Sequence, residues 1–235
     1  MEERLKREKQ TLRQSAQRIR AEHSRHGARR QALSAADHLV HLIATRCMKT
    51  VAMYAAQGDE LNPQEAVRQL RHREITLCFP RVIPGQRALA FYRVDDLSAL
   101  EPGSFGIPEP NPSAEIIPLD QIDLFVVPGL AFDRNGQRLG WGKGHYDATL
   151  AESRGLRVGY CYEFQLVEHV PTTEHDMGMD ALVTDIGVLH VSDPHATDTV
   201  SKAATNRESP GAPPGGCRDD DPGIADTTDD TLQPT

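Results

Sequence analysis

Five glycines punctuate residues 128–147, PGLAFDRNGQRLGWGKGHYD, at Gly129, Gly136, Gly140, Gly142 and Gly144. Arg138 and Lys143 lie among them, and Asp147 closes the segment. Glycine at alternate positions lets backbone N–H groups face a bulky anion that approaches the main chain closely. A helix starting just beyond would add partial positive charge, and Arg138 and Lys143 would add full charges suited to phosphate oxygens. The chemistry this implies is binding of a nucleotide polyphosphate. It is not the Walker A pattern, because Gly144 stands where Ser or Thr is required, and it is not the Rossmann GxGxxG. From spacing alone, a structural glycine-rich turn between a strand and a helix remains open.

Other candidate groups are scattered. Lys9 and Arg13 are four residues apart, so they share one face of any helix that carries them. They could meet an anion or could belong to a solvated basic face. Glu60 follows Asp59 in a short loop and could accept hydrogen bonds from ring nitrogens, or it could simply be an exposed loop acid. Asp147 reads equally as an acid in the first turn of a helix, and Asp176 taken alone has no distinguishing context. His38 and His41 could share a metal, but no third ligand lies near them in sequence, so structural or solvent-facing roles are expected. Cys47, Cys78, Cys161 and Cys217 never form a CxxC pair, which points away from a zinc site or a disulfide framework.

The elements that must position these groups follow from periodicity. Over residues 2–25, Leu5, Leu12, Ala16 and Ile19 recur at helical spacing among charges, predicting a surface helix with one apolar stripe. Ser34 with Asp37 suggests a cap for a second helix carrying Leu39, Val40, Leu42 and Ile43, and Asn62-Pro63 suggests a start for a third. Strands are predicted at 50–55, 75–79, 89–92, 124–127, 157–161 and 181–184, with a helix beginning near His145. Strands alternating with helices predict a largely parallel sheet covered on both faces, in a single three-layer α/β/α domain. Ligands bind such a sheet beyond the carboxyl ends of its strands. Five prolines in 101–118 make that stretch extended loop. Residues 1–190 are expected to form the catalytic domain, and 191–235, rich in Asp, Thr, Pro, Gly and Ser, a disordered acidic tail.

Charge is distributed unevenly. The net charge is −8, yet residues 1–30 carry ten Lys/Arg against four Asp/Glu, and residues 191–235 carry three against nine. The basic excess is therefore local, and the chain lacks the general basic surface of a duplex nucleic-acid binder. The charged start does not read as a signal peptide, and no apolar run reaches the roughly 18 residues of a membrane span, so a soluble cytoplasmic protein is expected.

The segment LAFDRNGQRLGWGKGHYD closely resembles the signature of the 5-formyltetrahydrofolate cyclo-ligases, or methenyltetrahydrofolate synthetases: PGLAFD, then G-x-RLG-x-G-x-G-x-YD. Weaker islands follow the same family's order: K-x-x-LR at residues 9–13, VAMYAAQGDE at 51–60, GIPEP at 106–110, and His175-Asp176 ahead of ALVT. The resemblance spans about residues 6–190. It implies a Rossmann-like fold similar to the NagB/RpiA/CoA-transferase-like proteins. It also implies an activity in which ATP phosphorylates the formyl oxygen of 5-formyltetrahydrofolate, N10 attacks the activated carbon, and 5,10-methenyltetrahydrofolate, ADP and phosphate result.

Carried onto matching positions, the resemblance implies ATP binding by Lys9, Gln10, Thr11, Leu12 and Arg13. It extends that role to Arg138, Leu139, Gly140, Trp141, Gly142, Lys143, Gly144, His145 and Tyr146. Arg138, Lys143 and Tyr146 would act in catalysis, with Lys143 as the direct phosphate cation. Ala55, Glu60 and residues Trp141, Gly142, Lys143, Gly144 and His145 would contact the folate, and Asp147 and Asp176 would bind Mg2+. The family usually has an aromatic residue where His145 stands. The implied partners are the two small molecules alone, with no membrane, no nucleic acid and a monomeric chain. Two other readings stay open: an ATP-using paralogue acting on a non-folate substrate, and a non-catalytic RNA-binding module. An aromatic content of 5% offers little stacking surface for the latter.

Overall fold

Two long helices open the chain. The computed structural model describes residues 1–23 and 28–191. Helix α1 (Glu2–His23) and α2 (Ala28–Thr45) lead into strand β1 (Thr50–Ala52) and α3 (Gln64–Leu70). Next come β2 (Thr76–Arg81), β3 (Ala90–Arg93), β4 (Glu101–Pro102), β5 (Pro108–Glu109), β6 (Ile116–Ile117) and β7 (Leu124–Val127). The remainder comprises β8 (Ala131–Asp133), β9 (Arg138–Leu139), α4 (His145–Ala151), β10 (Leu156–Tyr160), β11 (Leu166–Val167), β12 (Ala181–Val183) and β13 (Val188–His190). The acidic-tail expectation for 191–235 falls, after Val191, outside the described residues.

The main sheet has eight strands in the order β13-β12-β10-β7-β1-β2-β3-β6. Its centre is parallel, with β1 beside β2 and β7, and β10 beside β7 and β12. Antiparallel strands β3, β6 and β13 finish the edges. The pleat sends alternate residues to opposite faces. Val51, Met53, Leu77, Phe79, Leu124 and Val126 pack with α2 and α3, whereas Ala52, Cys78, Phe125 and Val127 pack with Leu150 of α4 and Phe132 of β8. Burial of both faces explains why β7 reads LFVV, without polar alternation. Packing is tight here: a Cβ on Gly159 of β10 would sit 2.6 Å from the Phe132 ring. The three-layer, mostly parallel α/β/α expectation therefore holds.

From β1 the strand order grows outward through β2, β3 and β6, and from β7 it grows the other way through β10, β12 and β13. The sheet thus reverses between β1 and β7. A crevice opens at such a switch point, beyond the carboxyl ends of the two strands. The loops leaving them are residues 53–63 and 128–144.

Several local expectations are corrected. α2 begins at Ala28, so Ser34 and Asp37 are not its cap; Ser34 Oγ donates to the Asp185 carbonyl, and Asp37 accepts from Gln69. The segment after β7 is not simply a loop. β8 and β9 form an antiparallel hairpin turning at Gly136, whose φ of 77° favours glycine, and β11 pairs with β8. Asp133, fully buried, holds this turn by accepting from the N–H groups of Asn135, Gln137 and Val170. The stretch 101–118 is extended as expected, and it also contains the β4–β5 ribbon. His38 Nδ1 donates to the Thr184 carbonyl at 2.9 Å, a structural role. Cys78 and Cys161 are buried free thiols. No helix among the described residues is long and apolar enough to cross a membrane.

Candidate functional site

A cleft of about 1300 Å³ occupies the switch point. One substrate-sized pocket spans roughly 300–1,000 Å³, so this cleft has room for two ligands. α1 forms one wall. Its Leu12 and Ala16 pack against Ala131, Leu139 and Val170, which fixes the helix rotation and turns Lys9, Arg13, Gln17 and Arg20 toward the cleft. These positions, spaced by four, four and three residues, share a helix face.

The glycine loop forms the opposite wall and meets that face directly. Arg13 Nε donates to the Gly140 carbonyl at 3.0 Å, and a Cβ on Gly142, whose φ is 93°, would stand 3.3 Å from the Arg13 guanidinium. Gly142 therefore suits both the backbone turn and the close approach. Trp141 leans the other way. Its Nε1 donates to Glu60 Oε1 at 3.1 Å, and the Arg20 guanidinium lies 5.4 Å from its ring centre. Lys143 is exposed at the cleft, and His145 Nδ1 donates to the Arg87 carbonyl at 2.8 Å.

Beneath the loop, Arg138 is only 5% exposed in its side chain. It donates to Asp147 Oδ1 at 2.9 Å and to the Pro128 carbonyl at 3.3 Å, and it stacks on Tyr146. Its Nε and the Tyr146 hydroxyl are buried without hydrogen-bond partners. Burial and the Glu60 charge push the Tyr146 phenol pKa well up against the opposing pull of Arg138, so Tyr146 stays a neutral donor. Across the cleft floor, Lys9 Nζ lies 2.5 Å from Asp176 Oδ2, which also accepts from the Thr173 N–H and hydroxyl. The Met177 N–H donates to Asp147 Oδ1, which brings the two acidic segments together. These bonds fall on Asp147 Oδ1 and on Asp176 Oδ2.

A family model described as the 5-formyltetrahydrofolate cyclo-ligase family matches residues 5–185. The chain belongs to this family. It is 30% identical over 181 residues to the 5-formyltetrahydrofolate cyclo-ligase of Haemophilus influenzae, covering 74% of this chain and 97% of that protein. It is 34% identical over 140 residues to the Escherichia coli K12 protein of the same name, covering 57% and 77%. The solution structure of Aquifex aeolicus 5,10-methenyltetrahydrofolate synthetase superposes with a TM-score of 0.65 at 30% identity, covering 82% of this chain and 99% of that one.

In this cyclo-ligase family member, Lys9, Arg13, Ala55, Glu60, Asp176 and the whole run from Arg138 to Asp147 line one cleft. Gln10, Thr11 and Leu12 do not: Gln10 and Thr11 are exposed and Leu12 packs on the β8–β9 hairpin. Arg20, Arg87, Glu109 and Tyr54 line the cleft without having been singled out from the sequence. Arg20 alone carried a legible signal, seven residues beyond Arg13 on the same helix face.

The Lys9–Asp176 pair makes a prediction about acid stability. Burial works to raise the Asp176 pKa, but hydrogen bonds from Lys9 and Thr173 together with the Lys9 charge outweigh it and hold the carboxyl below its ordinary range. A depressed folded-state pKa contributes stability above the unfolded value, about 4, that is lost as pH falls through the folded one. In urea titrations at stepped pH, Asp176→Asn should therefore lower the midpoint near neutrality and flatten the loss of stability below about pH 4. Parallel acid limbs in the two proteins would refute this.

Proposed function

We propose that this chain catalyses the ATP-dependent cyclisation of 5-formyltetrahydrofolate to 5,10-methenyltetrahydrofolate, with ADP and phosphate released. The observation that carries the reading is that one short loop touches both ends of the cleft. Gly140 and Gly142 meet Arg13 on the cationic side, and Trp141 meets Glu60 on the other. A phosphoryl group held at Lys143 would therefore sit between the nucleotide and a ring bound near Glu60, as direct transfer between two substrates requires.

The formyl oxygen of the substrate attacks the γ-phosphorus, and ADP leaves. N10 then adds to the activated formyl carbon, and the C–O bond to phosphate breaks to give the methenyl bridge. Little covalent work falls to the protein; its residues position the substrates and neutralise moving negative charge. Lys9, Arg13 and Lys143 bind phosphate oxygens from two sides. Arg138, anchored by Pro128 and Asp147, presents a fixed guanidinium, and the Tyr146 hydroxyl is left as a donor to a ligand. Glu60 and Ala55 hold the folate ring.

The residues present fit a magnesium ion. Asp147 and Asp176, both lining the cleft, offer hard oxygen donors, and a bound ion would supply charge neutralisation at the nucleotide phosphates. Lys9 would then move from Asp176 to phosphate. We further take residues 1–190 as the catalytic domain and the enzyme as a cytoplasmic monomer.

The test is growth of methenyltetrahydrofolate absorbance with 5-formyltetrahydrofolate, ATP and magnesium. Turnover that stops when EDTA removes the divalent ion is expected. ATP hydrolysis without folate conversion would favour a paralogue with a different acceptor, and turnover of neither substrate would end the proposal.

A further inference from the structure

Arg20 lines the cleft beside Trp141, eleven residues beyond Lys9 on α1. Its side chain is 4% exposed, and its Nη1 is buried without any hydrogen-bond partner. Glu60 Oε1 lies 3.9 Å away, close enough for charge attraction and too far for a hydrogen bond. A buried guanidinium N–H left unmade is costly, so a conformation that keeps one at a cleft wall points to an absent acceptor. That acceptor is not a phosphate: Glu60, also buried in its side chain, would repel a second anion at this distance.

Glu60 and Arg20 together define what fits. Glu60 Oε1 already receives the Trp141 N–H, and Oε2 receives the Gln57 N–H, yet each oxygen keeps further acceptor capacity. The pair therefore presents two acceptors beside one charged donor. A pterin offers the complement along one ring edge: the exocyclic 2-amino group and N3–H donate, and the adjacent O4 accepts. Adenine, with acceptor N1 beside its donor amino group, does not match this order. On α1, Lys9 and Arg20 are eleven residues apart, an axial span of about 16 Å at 1.5 Å per residue. That length separates a phosphate end from a ring end.

We propose that Arg20 is a specificity-determining residue that donates to the pterin O4 while Glu60 reads N3–H and the 2-amino group. The proposal rests on the folate reading given above. It makes Arg20 a substrate contact, and it assigns Trp141 to the floor beneath the recognised ring edge.

The experiment compares 5-formyltetrahydrofolate with its 4-amino analogue, in which O4 is replaced by a donor and N3 becomes an acceptor, so that the Arg20 contact and the Glu60 contact to N3–H are both lost. Trp141 is the protein's sole tryptophan, so quenching of its fluorescence reports binding without turnover. The wild-type protein should bind the 4-oxo compound roughly 10- to 100-fold more tightly, the usual loss for a missing charge-assisted hydrogen bond. In Arg20→Met that preference should shrink by roughly 10-fold through loss of 4-oxo affinity, the remainder being the Glu60 contact to N3–H, with the KM for ATP unchanged. Equal wild-type affinities, or an Arg20→Met variant that weakens both compounds by the same factor, would overturn the proposal. Should Arg20→Met not fold, Arg20→Lys is read by the same ratio, with an intermediate preference expected and an unchanged one counting against it. Failure of the folate reading would appear differently, as wild-type protein that binds neither compound.

Discussion

Replacing Lys143 with Ala is expected to lower the rate of methenyltetrahydrofolate formation by on the order of 100- to 1,000-fold, the cost of deleting one group aimed at developing charge. The fold should scarcely notice, because Lys143 is exposed on a loop at the cleft and supports none of the three apolar clusters. The loss should fall mainly on kcat. Folate binding at the Glu60 end depends on other residues, and a cation that meets the transferring phosphoryl group acts more strongly in the transition state than in the ground state. Initial rates under saturating substrates, set beside thermal melts of both proteins, check this. A variant that keeps wild-type kcat would remove Lys143 from the catalytic role given to it here.

Arg138→Met is expected to damage both stability and rate. The guanidinium is nearly buried, donates to Asp147 and to the Pro128 carbonyl, and lies against Tyr146. Deleting one member of a buried ion pair strands the other, typically for about 3–5 kcal/mol. Asp147 is 26% exposed in its side chain, so water recovers part of that, and roughly 2–3 kcal/mol is the expected loss. For a folded core of this size the melting temperature should fall by about 5–10 °C. The rate should also fall on the order of 100-fold or more, since phosphoryl charge loses a fixed donor. The two variants together separate roles: Lys143→Ala lowers rate alone, whereas Arg138→Met lowers rate and stability. An Arg138→Met protein as stable as wild type would show that the Asp147 pair contributes nothing to the fold.

Much of this protein is written in local sequence. Apolar runs such as LFVV, closed by Pro-Gly, read as strands buried on both faces, and glycines at 140, 142 and 144 read as backbone that turns sharply or approaches another group. Those features were enough to predict a largely parallel α/β sheet with a glycine-rich loop, of a kind suited to an anion, after the fourth predicted strand. The resemblance of that loop to a folate enzyme's signature added the substrate.

Tertiary structure decided what local pattern could not. Spacing by four put Lys9 and Arg13 on one face, but only the packing of Leu12 and Ala16 on the β8–β9 hairpin determined that this face looks into the cleft and that Gln10 and Thr11 look away. The hairpin itself was hidden because its strands are two and three residues long, too short to show a period. Lys9 and Asp176 are 167 residues apart and meet only in the folded chain, with α1 seated on the β8–β9 hairpin. Arg20 reads in sequence as one more charge on a polar helix. Its burial beside Glu60 and Trp141 depends on three segments meeting at one point, and contacts of that kind have no signature in any one of them.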